Sequence, residues 1–188
     1  FAINNNIAYT TRAFIYVPVA EGTCGENATW QLFENGELKI NGSGAMENYT
    51  SHTQQPWANY RHLIKKVVIG KDITAIGNYA FAYTQNLASV EFEEGSALKS
   101  IGVLSFMNAA KLTEVVLPDT VDSISAYGFG CCYELTSVVL PQGISYIYPT
   151  AFMNSDKVVL NVAEGTFAET FAINNNIAYT TRAFIYVP

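Results

Sequence analysis

The chain has 188 residues, a formal net charge of −6, and 14% charged residues against 49% hydrophobic ones. This length allows one large domain or two small ones. The acidic balance argues against nucleic acid as a partner, because phosphate binding needs clustered lysine and arginine. The sequence has no run of 18 apolar residues, so we expect no membrane span in this chain.

The first 18 residues recur without a substitution as residues 171–188, at an offset of 170 positions. We interpret this identity as the mark of a longer protein built from tandem modules. Residues 1–18 are then the tail of a preceding module or a linker, and residues 183–188 are a linker. An artificial duplication is the alternative. The first copy lacks the residues that precede the second, so we expect its helix to be absent or frayed.

Residues 19–62 differ in kind from the rest and are predicted to form an N-terminal β-hairpin cap. Strands at 29–33 and 38–40 flank the pair Asn35 and Gly36. An Asn-Gly pair favours a type I′ turn, because both central positions of that turn need a positive φ.

After the hairpin the chain is expected to turn away at residues 42–46 and to form a loop over 47–56. Trp57 is then expected to plug the first repeat. A cap of this kind covers the open apolar edge of a repeat array.

Residues 63–161 repeat one pattern of apolar side chains. Three columns share steps of 25, 23 and 23 residues: Ile76, Ile101, Ile124 and Ile147; Phe81, Phe106, Phe129 and Phe152; Leu87, Leu112, Leu135 and Val158. A fixed period near 23 residues predicts a solenoid, in which each unit buries its apolar side against its neighbours. The predicted class is α/β, with short strands and short helical turns.

One unit, counted from Leu112, is predicted to contain a strand at 112–117 and a turn at Pro118. A second extended piece follows at 121–124, and a single helical turn at 127–134. An earlier unit carries two extra residues within 93–97, which we assign to a loop at one edge of the solenoid.

Residues 162–182 are predicted to form a C-terminal helix-strand cap. Thr166 and Glu169 have the spacing of a capping box, which satisfies two amide donors at a helix start. The helix is expected to run to residue 172 or 174, followed by a strand at 177–180.

Catalytic and metal-binding residues are sparse in this sequence. The thiols of Cys24, Cys131 and Cys132 lack the spacing of metal ligands and are expected to be small buried side chains. His52 and His62 have no evident acidic partner, so solvated or capping roles are favoured over catalysis. No phosphate-binding loop or nucleophile elbow occurs. We therefore expect no catalytic, cofactor or metal site, and no enzyme.

The repeats resemble the BspA-like, or treponemal-type, leucine-rich repeats, which read Leu-x-x-Val-x-Leu-Pro and then Ile-Gly-x-x-Ala-Phe-x-x-Cys-x-x-Leu. The segments at 76–81 and 129–135 match closely, although Cys132 alone keeps the cysteine column. The resemblance covers about residues 20 to 180. It implies a leucine-rich-repeat solenoid from an extracellular or cell-surface protein used in adhesion, and it carries over no catalytic residue.

The outward strand face is the best candidate for a binding site. Strands alternate their side chains, so residues next to the buried columns point outward. The candidate ligand-binding residues are Lys66, Val68, Ser89, Glu91, Glu114, Val116, Ser137 and Val139. Solenoids use such ladders as extended binding surfaces. An ordinary solvated sheet face is the alternative.

Two non-enzymatic functions remain open from the sequence. The first is an adhesion module whose partner is a protein or glycan of a host or a neighbouring cell. The second is a structural spacer whose adjacent copies stack end to end, which the identity of residues 1–18 and 171–188 favours.

Overall fold

The structure, a computed structural model, describes residues 17–182. The incomplete helix predicted near the N-terminus and the linker predicted at 183–188 lie outside these residues. The strands are β1 (Ala20–Thr23), β2 (Asn27–Leu32), β3 (Glu37–Ala45), β4 (Lys66–Ile69), β5 (Ile73–Ile76), β6 (Ser89–Phe92), β7 (Ser100–Ile101), β8 (Glu114–Val116), β9 (Ser123–Ile124), β10 (Ser137–Val139), β11 (Tyr146–Ile147), β12 (Val159–Ala163) and β13 (Tyr179–Arg182). A 3₁₀ helix (Ala58–Leu63) precedes β4, and the α-helix α1 (Phe167–Asn174) separates β12 from β13.

Two ladders of parallel strands stack the coils of the chain, and β3 belongs to both. The first ladder runs β3-β4-β6-β8-β10-β12-β13, and the second runs β3-β5-β7-β9-β11. The N-terminal strands β1, β2 and β3 pair antiparallel. Four successive coils, from β4 to β11, each add one strand to each ladder, and β12 and β13 extend the first ladder alone. The predicted solenoid is confirmed.

A stack of aromatic rings forms the centre of the core. Neighbouring ring centroids lie 5.5, 5.2, 5.1 and 5.8 Å apart along the series Trp57, Phe81, Phe106, Phe129 and Phe152. All five side chains are buried. Rings at this spacing attract one another in addition to the free energy of apolar burial. Trp57 therefore continues the phenylalanine column and closes the first coil, as predicted.

The N-terminal hairpin forms, but its turn is not type I′. Gly36 has φ +86°, whereas Asn35 keeps a negative φ. The Gly36 N–H donates to the Phe33 carbonyl and the Phe33 N–H donates to the Glu37 carbonyl, both at 2.9 Å. The Asn35 side chain accepts from the Glu37 N–H at 3.0 Å and holds this geometry. The result is a longer loop closed by a glycine bulge.

The chain does not leave the hairpin at residue 42, because β3 continues to Ala45. Its first part pairs with β2 as far as Ser43, and its last residues pair with β5. Gly42 and Gly44 adopt φ values of +89° and +83°, which non-glycine residues rarely reach. These two glycines let one strand serve both ladders.

The segment 127–134 contains turns where a helical turn was predicted. Tyr127 and Cys131 have φ values of 54° and 56°, which interrupt a right-handed helix. The amides of Tyr127, Phe129 and Cys131 donate to Thr150, Ala151 and Met153 in the next coil, at 2.8–3.2 Å. Amides committed to the neighbouring coil cannot form the i to i−4 bonds of a helix.

The C-terminal helix α1 begins and ends close to the predicted positions, with one change at its start. The Thr166 hydroxyl accepts from the Glu169 N–H at 3.4 Å, as a capping box requires. The Glu169 carboxylate, however, accepts from the Gly165 N–H at 2.7 Å, one residue before the expected donor. The following strand, β13, begins two residues later than predicted and pairs with β12.

Candidate ligand-binding face

The eight residues proposed from sequence lie on one face of the first ladder, in two rows. Lys66 is opposite Ser89 and Val68 is opposite Glu91 on β4 and β6. The pairings that continue the rows are Ser89 with Glu114, Glu114 with Ser137, and Val116 with Val139. The structure thus brings all eight together across β4, β6, β8 and β10.

Alternation along each strand decides which side chains reach this face. The intervening Val67, Val90, Val115 and Val138 point into the core and are at most 7% exposed. Val116 on the outer face is 62% exposed. A strand that buries every second residue must present the others to solvent. The outward orientation proposed from sequence therefore agrees with the observed burial.

The β4 end of the face carries a network of charged side chains. The Lys66 ammonium lies 2.7 Å from a Glu91 carboxylate oxygen and 3.6 Å from one of Glu37. The hydrogen bond to Glu91 raises the pKa of Lys66 above its ordinary value. Glu37 also contacts Lys39 at 3.4 Å. These partners on β3 extend both rows by one strand.

The β12 end of the face is hydrogen-bonded. The Asn161 amide donates to the Ser137 hydroxyl at 3.0 Å, and the Thr180 hydroxyl donates to the Asn161 carbonyl oxygen at 2.7 Å. Four residues of this face were not predicted from the sequence: Glu37, Lys39, Asn161 and Thr180. The alternation of residues 159–162 could have identified Asn161, whereas β3 has no repeat motif that would reveal Glu37 or Lys39.

A groove of about 690 Å³ opens on this face between β6 and β8. Its walls include Ser89 and Glu91 on one side and Glu114 and Val116 on the other. Four of the eight candidate residues therefore line one concave part of the face.

The cysteines are buried, as expected from the sequence. Burial raises the pKa of the Cys24 and Cys132 thiols to about 12. The Cys132 thiol donates to the Phe106 carbonyl at 3.2 Å. Protonated thiols of this kind are poor nucleophiles near neutral pH.

The two histidines lie apart from the strand face. The His52 ring sits 4.5 Å from the Tyr83 ring, and His62 is exposed at the end of the 3₁₀ helix. Across residues 17–182, no three histidine, cysteine or acidic side chains come together in a way that could hold a metal ion. In the same part of the chain, none of the helices has the length and apolar character needed to cross a bilayer.

Three solved structures share this fold. The leucine-rich-repeat protein of T. pallidum superposes with a TM-score of 0.54 at 21% identity, over 86% of this chain and 82% of the other. A leucine-rich-repeat protein from Bacteroides ovatus gives 0.57 at 15% identity, and the pneumococcal vaccine antigen PcpA gives 0.54 at 14%. The aligned parts are 80% of this chain and 41% of the Bacteroides protein, and 82% of this chain and 42% of PcpA.

Sequence comparison identifies the family. A search of curated proteins found no match. The model of the BspA type leucine rich repeat region matches residues 57–180, in six copies. This match spans more than half of the chain and includes every coil of the solenoid. The chain therefore belongs to the BspA-type leucine-rich-repeat family.

Proposed function

We propose that this chain is a non-enzymatic module of a secreted or cell-surface protein, which binds a protein or glycan of a host or neighbouring cell. The observation that carries the proposal is the placement of eight outward side chains on one face of four successive strands. An extended, rigid row of side chains suits a macromolecular ligand. Membership of a leucine-rich-repeat family supports a binding role, because solenoids of this kind present extended binding surfaces.

The composition of the face also supports binding. Val116 is exposed among charged and hydroxyl side chains, so the face combines apolar area with polar groups that can fix orientation. The sheet backbone holds these groups in place, which lowers the ordering cost of association. PcpA, which shares this fold, is named as a pneumococcal vaccine antigen. A vaccine antigen is consistent with a surface location.

Binding can be tested with immobilised extracellular-matrix proteins and a glycan array. The variant Ser137→Arg with Val139→Arg changes the face at β10 and leaves the buried residues intact. We expect the variant to bind the ligand of the wild-type chain with an affinity lower by about tenfold or more, because bulky charges block close approach. The matched control, Gln142→Arg with Ser145→Arg, adds the same charge at two exposed positions off the face. Equal binding by the two variants would contradict the proposal.

A structural spacer is the second candidate, favoured by the identity of residues 1–18 and 171–188. Within residues 17–182, β13 pairs only with β12, and its four residues are exposed. A strand with one open edge can pair with a second chain. We expect light scattering to show concentration-dependent end-to-end association that falls when residues 1–18 are removed. An unchanged mass would count against this role.

A further inference from the structure

Strand pairing in the first ladder is interrupted between β6 and β8. Four residue pairs join β4 to β6, and three join β8 to β10. Between β6 and β8 one pair remains, Ser89 with Glu114. The strands diverge beyond that pair, and the groove described above lies in the gap.

Backbone amides on the two sides of the interruption donate away from it. At the ends of the early strands, the amides of Gly70 and Glu93 donate backward, to the carbonyls of Ile40 and Ile69. After the gap the amide of Leu117 donates forward, to Val139, and that of Leu140 to Asn161. The donors of Glu93 and Leu117 thus both point away from the gap. Pro118, which follows, has no N–H to donate.

A local insertion lies beside this interruption. Ile69 and Ile73 are four positions apart in one coil, as are Leu117 and Val121 in a later one. Phe92 and Leu98, the matching residues between them, are six apart. The two extra residues widen the loop that forms one end of the gap.

The groove has an apolar floor and a closed end. Phe92 is half-buried on one side, and Val116 is 62% exposed on the other. The Thr120 hydroxyl donates to the Ser96 carbonyl at 2.9 Å and ties the two loops together at one end. Every second side chain of an extended chain points to the same side, so the alternate residues of a chain laid in the groove would face this floor.

The rim of the groove is acidic. Carboxylates of five residues line it: Glu91, Glu93, Glu94, Glu114 and Asp119. The lining contains no lysine or arginine. Glu91 already contacts Lys66, and Glu93 accepts from the Lys71 N–H at 3.0 Å. Within residues 17–182 no three acidic, histidine or cysteine side chains are placed to hold a metal ion, so the remaining carboxylates suit separate cations of a peptide better than one metal ion.

We propose that this groove binds an extended peptide segment with lysine or arginine at alternate positions and small apolar side chains between them. The proposal rests on the binding function given above and assigns it a partner of defined chemistry. Apolar side chains of the peptide cover Phe92 and Val116, and its cations meet the carboxylates of Glu94, Glu114 and Asp119. Charge complementarity of this kind gives specificity and a salt-sensitive association rate.

Fluorescence anisotropy with a labelled peptide of alternating lysine and valine, seven residues long, tests the groove. A peptide of the same composition with its lysines clustered is the sequence control, and one with glutamate for lysine is the charge control. We expect saturable binding of the alternating peptide, binding of the clustered one that is weaker by about tenfold, and none of the glutamate one. Equal binding of the two lysine peptides would overturn the proposal.

Two protein variants locate the binding. Glu114→Lys with Asp119→Lys reverses the rim and is expected to weaken binding at least about tenfold. Glu26→Lys with Glu164→Lys makes the same change in net charge at exposed sites outside the groove, and its affinity should stay within about twofold. A similar loss in both variants would show non-specific attraction and contradict a site in the groove.

Deletion of Glu94 and Gly95 gives an independent test, because it restores the four-residue spacing of the other coils. We expect the shortened chain to fold, with its circular dichroism unchanged, and to lose binding of the lysine-valine peptide. A folded deletion variant that binds as the wild type does would overturn the proposal. If it fails to fold, the rim variant decides the outcome.

The variant Ser137→Arg with Val139→Arg separates this proposal from the broader one. It changes the strand face at β10, outside the residues that line the groove, so the loss of a whole-chain ligand in this variant reports on the proposed function. Two results together would refute the groove proposal and leave the proposed function standing. In the first, this variant loses a ligand that the wild-type chain binds. In the second, the wild-type chain does not bind the lysine-valine peptide.

Discussion

The ring of Phe129 is held on both of its faces, by Phe106 at 5.1 Å and by Phe152 at 5.8 Å between centroids. It is fully buried, so its removal leaves a cavity bounded by two rings that the backbone keeps apart. We expect Phe129→Ala to lower the free energy of unfolding by about 3–5 kcal/mol, measured by urea denaturation. Tyr133→Ala, at a side chain that is 52% exposed, is the control and should cost much less. Comparable losses would contradict a stacked core.

The buried thiols make stability depend on pH in the alkaline range. The pKa of Cys24 and of Cys132 rises from 9.0 to about 12 on folding, mainly because burial disfavours the thiolate. The folded chain then holds protons that the unfolded chain releases, so stability is complete below pH 9 and falls as the pH rises toward 12. The expected slope is about 1.4 kcal/mol per pH unit for each thiol.

Urea denaturation at pH 7.5, 9.5 and 10.5 measures this dependence. Cys24→Ala removes one titrating thiol and should make the fall in the free energy of unfolding shallower by that amount. The comparison is between slopes, so the constant cost of the lost side chain cancels. Parallel slopes in the variant and the wild type would contradict the assignment of the pH dependence to Cys24.

At the scale of the secondary-structure element, the Thr166 side chain caps the start of α1. The Thr166 hydroxyl accepts from the Glu169 N–H, and Phe171 on this helix packs against Phe152 with ring centroids 6.5 Å apart. We expect Thr166→Ala to cost about 1 kcal/mol and to increase hydrogen exchange in α1. Glu164→Ala, at an exposed position before the helix, should change neither quantity. Unaltered exchange in the Thr166 variant would show that packing alone holds the helix.

The secondary-structure elements show how far the sequence could predict the fold. The apolar columns and the Thr166–Glu169 spacing located the coils and α1, because burial and capping leave a local pattern of residue types. The predicted type I′ turn at Gly36 and the predicted helical turn over 127–134 were wrong in detail. In both places hydrogen bonds decide the conformation. In the hairpin the Glu37 N–H donates to the Asn35 side chain, and in the repeat the Phe129 N–H donates to a carbonyl of the next coil. The carbonyl that accepts from Phe129 is determined by how the coils stack.

The candidate site was predictable to a similar degree. Alternation was enough to place Glu114 and Val116 on the outer face, since each strand must bury every second residue. The groove between β6 and β8 was not foreseen, although the two extra residues near Gly95 were visible in the sequence. Their position next to strands that share only the pair Ser89 with Glu114 became apparent only from the observed register, which residue types do not reveal.

At the scale of the whole molecule, each coil contacts mainly the coils on either side of it. Stability is then close to a sum of unit and interface contributions, and damage at one end should stay near that end. Trp57 joins the N-terminal strands to the repeats. Its ring stacks on Phe81 at 5.5 Å, meets Trp30 edge-on at 5.8 Å, and donates its N–H to the Ala80 carbonyl at 3.1 Å.

We therefore expect Trp57→Ala to release the N-terminal strands before the rest of the solenoid opens. Hydrogen exchange should accelerate in β1–β4 while β10 and β12 keep most of their protection, because the intervening phenylalanine stack is intact. Phe171→Ala, at the opposite end, is the matched variant and should give the reverse pattern, with exchange fastest in α1 and β13. The ring of Phe152 would lose its outer neighbour in that variant, just as Phe81 loses its own when Trp57 is removed. Uniform acceleration along the chain in both variants would mean that the coils unfold as one cooperative unit, and that couplings beyond nearest neighbours dominate this solenoid.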